Sequence, residues 1–298
     1  MAATWSVAVF AHNEAKRIAA TLESIAVAAD GAALDVVVLA NGCRDRTAAI
    51  VRELAQASPR LRVVEIPLGD KANAWNHYVH TLGVAADMHV FVDGDVQVEP
   101  GALPALAAAL AGLPTANAAG ALPTTGRDRE AWSARMQANG TLAGGLYALR
   151  GEFVERIRQR AIRLPQGLIG EDWLVSVLAK SELQPLAMQP ASNQRVVFAH
   201  QAGFAFRSLS PWRPADYRVY LRRLWRYALR GVQFEMVLGW LWHYPPETLP
   251  PEIEQLYLRA RPPSRLKWVG WTSPLRLWAV QKVRGVRAKA TARGEVVA

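Results

Sequence analysis

The run Asp35-Val36-Val37-Val38-Leu39-Ala40, followed at once by Asn41-Gly42-Cys43-Arg44-Asp45-Arg46, carries the architecture in miniature. A near-continuous apolar stretch bounded by polar residues reads as a strand covered on both faces, because a strand with one wet face would alternate. The polar loop leads into helical spacing near Thr47–Ala57. The same unit recurs on either side. Trp5–Ala11 is apolar and passes through His12-Asn13-Glu14 into a helix over 15–29, with Ile18, Leu22 and Ile25 on one face. Leu61–Ile66 reads as a third strand, 71–86 as a helix, and Met88–Val92 as a fourth strand that runs into Asp93-Gly94-Asp95. This β-α-β-α order predicts an α/β fold with a mostly parallel, Rossmann-like sheet flanked by helices. Ligands of such sheets bind beyond the carboxyl ends of the strands. The three polar loops all fall there, so they are predicted to share one edge. Each loop alone is explained as well by helix capping; their common placement is what points to a site.

Farther along, residues 107–125 are rich in Ala, Gly and Pro and carry no clear period. Gly144-Gly145 lead into a strand ending near Leu149, then a helix over 152–160. Gly170-Glu171-Asp172 opens a helix to about Lys180, and Gln194–Ala199 reads as a strand ending at His200. From Pro214 onward the pattern is helical and basic.

Charge divides the chain. Residues 1–204 balance 18 Lys and Arg against 19 Asp and Glu, whereas residues 205–298 carry 17 against 6 and hold seven of the 11 tryptophans. This predicts a catalytic domain over 1–205 and a basic, Trp-rich helical extension over 206–298. A single cysteine, Cys43, excludes an internal disulfide framework and a Cys-built zinc site. That cysteine usage, no secretory pattern at the start and no apolar run of about 18–20 residues point to a cytoplasmic location. The nearest apolar candidate, Val232–Tyr244, is too short to span and contains Glu235.

Asp93 and Asp95 stand two residues apart at the end of an apolar strand. Hard divalent cations such as Mg²⁺ or Mn²⁺ take oxygen ligands and share them with substrate phosphates. A glycine between the two lets a diphosphate approach the backbone. The competing reading is an ordinary Asp-Gly turn. Glu171 and Asp172 form a second acidic pair, suited either to general-base work on a hydroxyl or simply to a helix N-terminus that favours negative charge.

Taken in order, Val9-Phe10-Ala11-His12-Asn13-Glu14, Asn41 through Thr47, Gly69-Asp70-Lys71-Ala72-Asn73-Ala74, Asp93-Gly94-Asp95 and Gly170-Glu171-Asp172 resemble the family 2 glycosyltransferases across roughly residues 5–205. The resemblance implies the A-type nucleotide-diphospho-sugar transferase fold. It implies that Glu14, Asn41 and Lys71 line a nucleotide pocket, that Asp93 faces ribose and diphosphate, and that Asp95 holds a divalent cation (Mn²⁺ or Mg²⁺). Asp172 matches the catalytic base of inverting members, Glu171 shapes the acceptor side, and His200 sits where related folds sometimes supply a further metal ligand. A lone histidine at a strand end is otherwise structural.

Two departures qualify the resemblance. Many members have Asp-Asp-Gly-Ser where this chain has Ala40-Asn41-Gly42-Cys43, so the base of the nucleotide is not fixed by this loop. Processive synthases carry Gln-x-x-Arg-Trp and spanning helices; Leu221-Arg222-Arg223-Leu224-Trp225 lacks the Gln and the Arg before Trp. The expectation is single-sugar transfer from a nucleotide-diphosphate sugar to an acceptor hydroxyl.

The extension places Arg213, Arg218, Arg222, Arg223, Arg226 and Arg230 on one helix with Tyr217, Tyr220, Trp225 and Tyr227. Three readings compete: contact with an anionic membrane surface near a lipid-linked acceptor, capture of a phosphate-bearing acceptor, or a solvated basic face. Two other activities compete with this one. A sugar nucleotidyltransferase would show a Gly-rich basic loop after the first strand. A non-enzymatic nucleic-acid-binding protein would leave the front carboxylates unused, so no nucleic acid is expected as partner.

Overall fold

A computed structural model describes residues 5–188, 192–208, 212–260 and 273–293. The chain opens with β1 (Trp5–Ala11), α1 (Ile18–Ala28), β2 (Leu34–Asn41), α2 (Thr47–Ala55), β3 (Leu61–Ile66), α3 (Lys71–His77) and β4 (Met88–Asp93). It continues through β5 (Val96–Val98), α4 (Ala102–Gly112), β6 (Ala118–Pro123), α5 (Arg129–Asn139), β7 (Leu146–Arg150), α6 (Gly151–Gln159), α7 (Glu171–Lys180) and β8 (Val196–Phe206). The last third holds α8 (Pro214–His243), α9 (Ile253–Arg259) and α10 (Ser273–Ala292).

The strands form one sheet in the order β3-β2-β1-β4-β7-β6-β8-β5. β1 to β4 run parallel, β6 and β8 share their direction, and β7 and β5 run against them. The sheet is therefore mixed but mostly parallel, as the alternation predicts. The chain builds outward from β1 to β3, then returns through α3 to place β4 on the other flank of β1. That reversal creates a switch point between β1 and β4, where ligand crevices of open α/β sheets form.

All seven residues of β1 are buried, and they alternate between two cores. Val7, Val9 and Ala11 pack with Ile18 and Ile25 of α1 and Leu103 and Leu106 of α4. Ala8 and Phe10 face the opposite layer, with Trp75, Phe153, Leu174 and Leu178. Val232, Met236, Val237 and Leu241 of α8, Leu256 of α9 and Val283 of α10 join that second core. Phe91 is fully buried and lies stacked 4.8 Å from Tyr147. Truncating such a ring to alanine costs about 3–5 kcal/mol.

Three segments depart from expectation. The helix expected over 71–86 ends at His77 and finishes in a π-helical turn, Tyr78–Leu82. Arg158 caps it by donating to the carbonyls of Val79 and Gly83 at 2.6 and 2.9 Å. The unassigned region 107–125 divides into the end of α4 and β6. Third, the strand expected to stop at His200 continues to Phe206. Between Phe198 and Gly203 it bulges against β6, and His200 and Gln201 point into solvent there. His200 is therefore mid-strand and exposed, not at a strand end.

Candidate active site

The loops after β1, β2 and β4 meet as predicted. Asn13 adopts φ 58°, a left-handed conformation that asparagine tolerates, and turns the chain sharply out of β1. Its side-chain carbonyl accepts from Arg44 N at 2.8 Å, and Ala15 N donates to Asp45 at 3.0 Å. His12 Nδ1 lies 2.6 Å from the Asn41 carbonyl oxygen. Asn41 is buried, and its Oδ1 accepts from Asp70 N at 2.9 Å, so its observed work is to join the second loop to the start of α3. The join is tight: a Cβ on Gly42 would lie 2.5 Å from Gly69 Cα. Gly94 is similarly confined, with a Cβ there 2.9 Å from Ala11 Cα.

Lys71 is the first residue of α3, held by the N-cap Asp70, which accepts from Asn73 N at 2.6 Å. Its ammonium lies 2.5 Å from Asp93 Oδ1 and 2.6 Å from Glu171 Oε1. The Glu171 contact is an ion pair without hydrogen-bond alignment. Burial opposes the charge on Lys71, but Asp93, Glu171 and Asp172 together outweigh it and raise its pKa well above normal. Asp93 is pushed up to about 7, chiefly by burial, with Lys71 pulling the other way.

Asp172 is clamped by backbone. Gly144 N donates to its Oδ2 and Trp173 N to its Oδ1, both at 2.9 Å. Burial, then the neighbouring Glu171, raises its pKa. Gly144 is what allows the gathering: a Cβ there would stand 2.7 Å from Lys71 Nζ, 3.3 Å from Asp93 Oδ2 and 3.5 Å from Asp172 Oδ2. One cation and three carboxylates thus share a small volume over the stacked rings of Phe10, Phe91 and Tyr147.

Asp95 belongs to a second, more open group. Arg17 Nη1 bridges Asp95 Oδ2 at 3.2 Å and Glu14 Oε2 at 3.3 Å. Glu14 is raised to about 6 by burial and by Asp95. A cleft of about 340 Å³ adjoins Asp95, lined among others by Lys16, Arg17, Gln97 and Arg207. Among the described residues no three His, Cys, Asp or Glu side chains gather to cage a metal ion, so His200 forms no such group with Asp93 and Asp95. A cation here would instead rest on one or two carboxylates and on phosphate oxygens of a substrate, the mode Mg²⁺ favours. Arg17, a cation already seated between Asp95 and Glu14, shows that this corner accommodates positive charge.

Sequence reasoning missed Arg17, Gly144 and the contribution of α8. Two adjacent glycines just before a strand were the available signal for Gly144, since glycine there marks close approach of another group. From α8, Gln233 is buried and ties down the loop before α7. Its Oε1 accepts from Ile169 N at 2.9 Å, while Nε2 donates to Gly167 O at 3.1 Å and Tyr257 Oη at 2.7 Å.

Residues 6–167 match the family described as glycosyl transferase family 2. No curated protein matches the sequence. Among solved structures, the chain is similar in fold to the mannosyltransferase PcManGT from Pyrobaculum calidifontis, solved with GDP-Man and Mn²⁺. That likeness has a TM-score of 0.59 at 20% identity and covers 98% of this chain and 76% of the other. Glucosyl-3-phosphoglycerate synthase from Mycobacterium tuberculosis, solved with Mn²⁺, UDP-glucose and phosphoglyceric acid, gives 0.53 at 21% identity over 82% and 81%. TarS of S. aureus gives 0.52 at 17% identity over 98% and 92%. The family match takes in more than half of the chain and every loop of the cluster from Glu14 through Asp95. The chain belongs to glycosyl transferase family 2.

Proposed function

We propose that the chain is an inverting, non-processive glycosyltransferase that moves one sugar from a nucleotide-diphosphate sugar to an acceptor hydroxyl. The observation that carries this reading is the cluster of Lys71, Asp93, Glu171 and Asp172 around Gly144, opening beside Asp95 at the β1–β4 switch point. Nucleotide sugar and Mn²⁺ bound to structures of the same fold support it.

In this reading the open Asp95 side receives the diphosphate, with Asp95 and Asp93 as ligands to a divalent cation. When bound, that cation offsets the charge of the departing nucleoside diphosphate. Gly94, whose missing Cβ makes room for Ala11, lets the Asp93–Asp95 loop close on β1, and Glu14 and Asn41 shape the nucleotide end. His200, outside any group of possible ligands, has no part in this scheme. Asp172 takes the proton from the acceptor hydroxyl as its oxygen attacks the anomeric carbon from the face opposite the leaving group. The two backbone N–H donors aim its carboxylate, and burial makes it a stronger base than a free aspartate. Lys71 holds Glu171 and Asp93 apart from that role by pairing with both.

We assign residues 206–298 to the acceptor side and to contact with an anionic membrane surface from the cytoplasmic face. Support comes from α8, where residues 217–223 are exposed all round the helix and carry Arg218, Arg222 and Arg223 with Tyr217, Tyr220 and Leu221. No helix among the described residues is long and apolar enough to cross a membrane. The deciding experiment is a thermal-shift panel of UDP-, GDP-, CMP- and dTDP-sugars with and without Mn²⁺, followed by NMR of the anomeric centre in the product. A donor-specific rise that needs the metal, with inverted configuration, is the expected outcome. Pyrophosphate release, or retention of configuration, would overturn the assignment.

A further inference from the structure

Arg230 of α8 lies close enough to Asp172 for its charge to oppose the rise in that carboxyl's pKa. It comes from outside the family-matched span and lies against the Gly170 turn that opens α7. Gly170 adopts φ 90°, and a Cβ there would stand 2.9 Å from both Arg230 Cδ and Phe234 Cζ. The absence of a side chain at 170 is thus what lets Arg230 approach the acidic pair. Aromatic rings fix the guanidinium: it lies 4.5 Å from the Tyr227 centroid and 5.5 Å from that of Phe234. Phe234 is itself stacked at 3.6 Å on Trp173, the residue after Asp172. The side chain is therefore held on the acidic pair's side of the Gly170 turn by ring contacts and by packing against that turn.

The other arginines near the two cores are spoken for. Arg17, Arg62, Arg156 and Arg276 have carboxylate partners, and Arg158 has two backbone carbonyls. Arg230 makes no ion pair or hydrogen bond among the described residues. A half-buried guanidinium carries five N–H donors in a fork that matches phosphate, and here that fork is pre-positioned and unfilled. Arg226 and Arg223 follow on the same helical face, four and seven residues back, both exposed and without an ion pair among the described residues. A row of three cations favours a phosphate over a singly charged carboxylate.

We propose that Arg230 binds a phosphate group of the acceptor, so that the enzyme glycosylates a hydroxyl of a phosphate-bearing molecule. This rests on the assignment of Asp172 as the base on the acceptor side. Stacking on Tyr227 and Phe234 leaves the N–H edge free for the phosphate, and the acceptor hydroxyl then falls toward Asp172.

The test is calorimetric titration of inorganic phosphate into the full chain with Mg²⁺, with and without saturating nucleoside diphosphate. Binding that persists beside the nucleoside diphosphate is expected. Arg230→Ala should weaken it about tenfold or more, as loss of a charged hydrogen-bonding partner does. Arg230→Lys should fall between, and Arg52→Ala, on the exposed side of α2 and outside the extension, should match wild type. Flotation with phosphatidylcholine vesicles, with and without phosphatidic acid, separates the sources. Arg230-dependent binding only to phosphatidic acid marks a lipid phosphate, and binding of the free ion marks a soluble one. Melting curves check that each variant is folded; if Arg230→Ala is not, Arg230→Lys carries the comparison. Absence of binding by wild type both to the free ion and to phosphatidic acid vesicles, equal binding by Arg230→Ala, or a loss of nucleoside diphosphate binding in its place would overturn the proposal. Failure of the nucleoside diphosphate to bind at all would count against the glycosyltransferase reading, a separate result.

Discussion

Replacing Lys71 with methionine keeps the aliphatic stem and deletes an ammonium that contacts Asp93 at 2.5 Å and Glu171 at 2.6 Å. Three carboxylates would then face one another with no cation between them. Removing one member of a buried pair costs about 3–5 kcal/mol. Glu171, with its side chain 7% exposed, fits that case, but Asp93 at 33% and Lys71 at 26% are partly screened by water. A loss of about 2–3 kcal/mol at pH 8 is the resulting expectation. The pH dependence follows from the direction of the shifts. A carboxyl whose folded pKa is raised binds extra protons in the folded state, so stability falls as pH climbs from the ordinary carboxylate range to the folded pKa. Asp93, at about 7, is protonated at pH 5.5 and has little attraction for Lys71 to lose there. The ammonium's own raised pKa stabilises the fold throughout this window and is lost only at much higher pH. At roughly 2–4 °C per kcal/mol, the variant should melt about 5–8 °C lower at pH 8 and about half that lower at pH 5.5. Paired melting curves of wild type and variant at the two pH values provide the measurement. An equal drop at both, or none at pH 8, would refute the ion-pair account.

Asp172→Asn is isosteric but keeps only one of the two backbone clamps, because its amide nitrogen cannot accept an N–H, and it cannot take up a proton. Turnover should fall about 100-fold or more while the donor dissociation constant stays within a factor of about two. Calorimetry and initial rates on the same preparation would check it, and near-wild-type turnover would remove Asp172 from the base role. Gly144→Ala should displace the flexible end of Lys71 by a few tenths of an ångström. Its melting point should barely move, yet kcat should drop by about 10–100-fold because reacting groups tolerate little misplacement. For pH, kcat/KM should rise through about 7 as Asp93 loses its proton in the free enzyme and becomes a competent ligand for cation and diphosphate. A flat profile between pH 5 and 8 would contradict that role.

Much of the donor half was legible because its signals are local. Apolar runs such as Val36–Leu39 and Val90–Val92 can be little else than buried parallel strands, and polar loops behind such strands must meet at one edge. Residues 107–125 gave no such signal, since alanine packs as readily in α4 as in β6. His200 and Gln201 imitate a strand end because a bulge turns both outward before β8 resumes. Contacts between distant segments left no trace in the pattern. Lys71 meets Glu171 across a hundred residues, and Arg230 reaches the Gly170 turn only because α8 packs back onto the same core.

Gln233 has a consequence for anyone wishing to exchange parts between relatives. The family match stops at residue 167, and that is the residue whose carbonyl Gln233 grips. Backbone bonds from Gln166 N to Pro251 O and from Ile253 N to Gln166 O stitch the same point to the segment before α9. A graft that swaps the C-terminal helices while keeping the donor half would therefore cut through a joint, not a linker. The chimera would inherit α7 with a leading loop that has lost its fasteners. A workable seam lies upstream of Gln166, so that the loop, α7 and α8 travel together as one cassette.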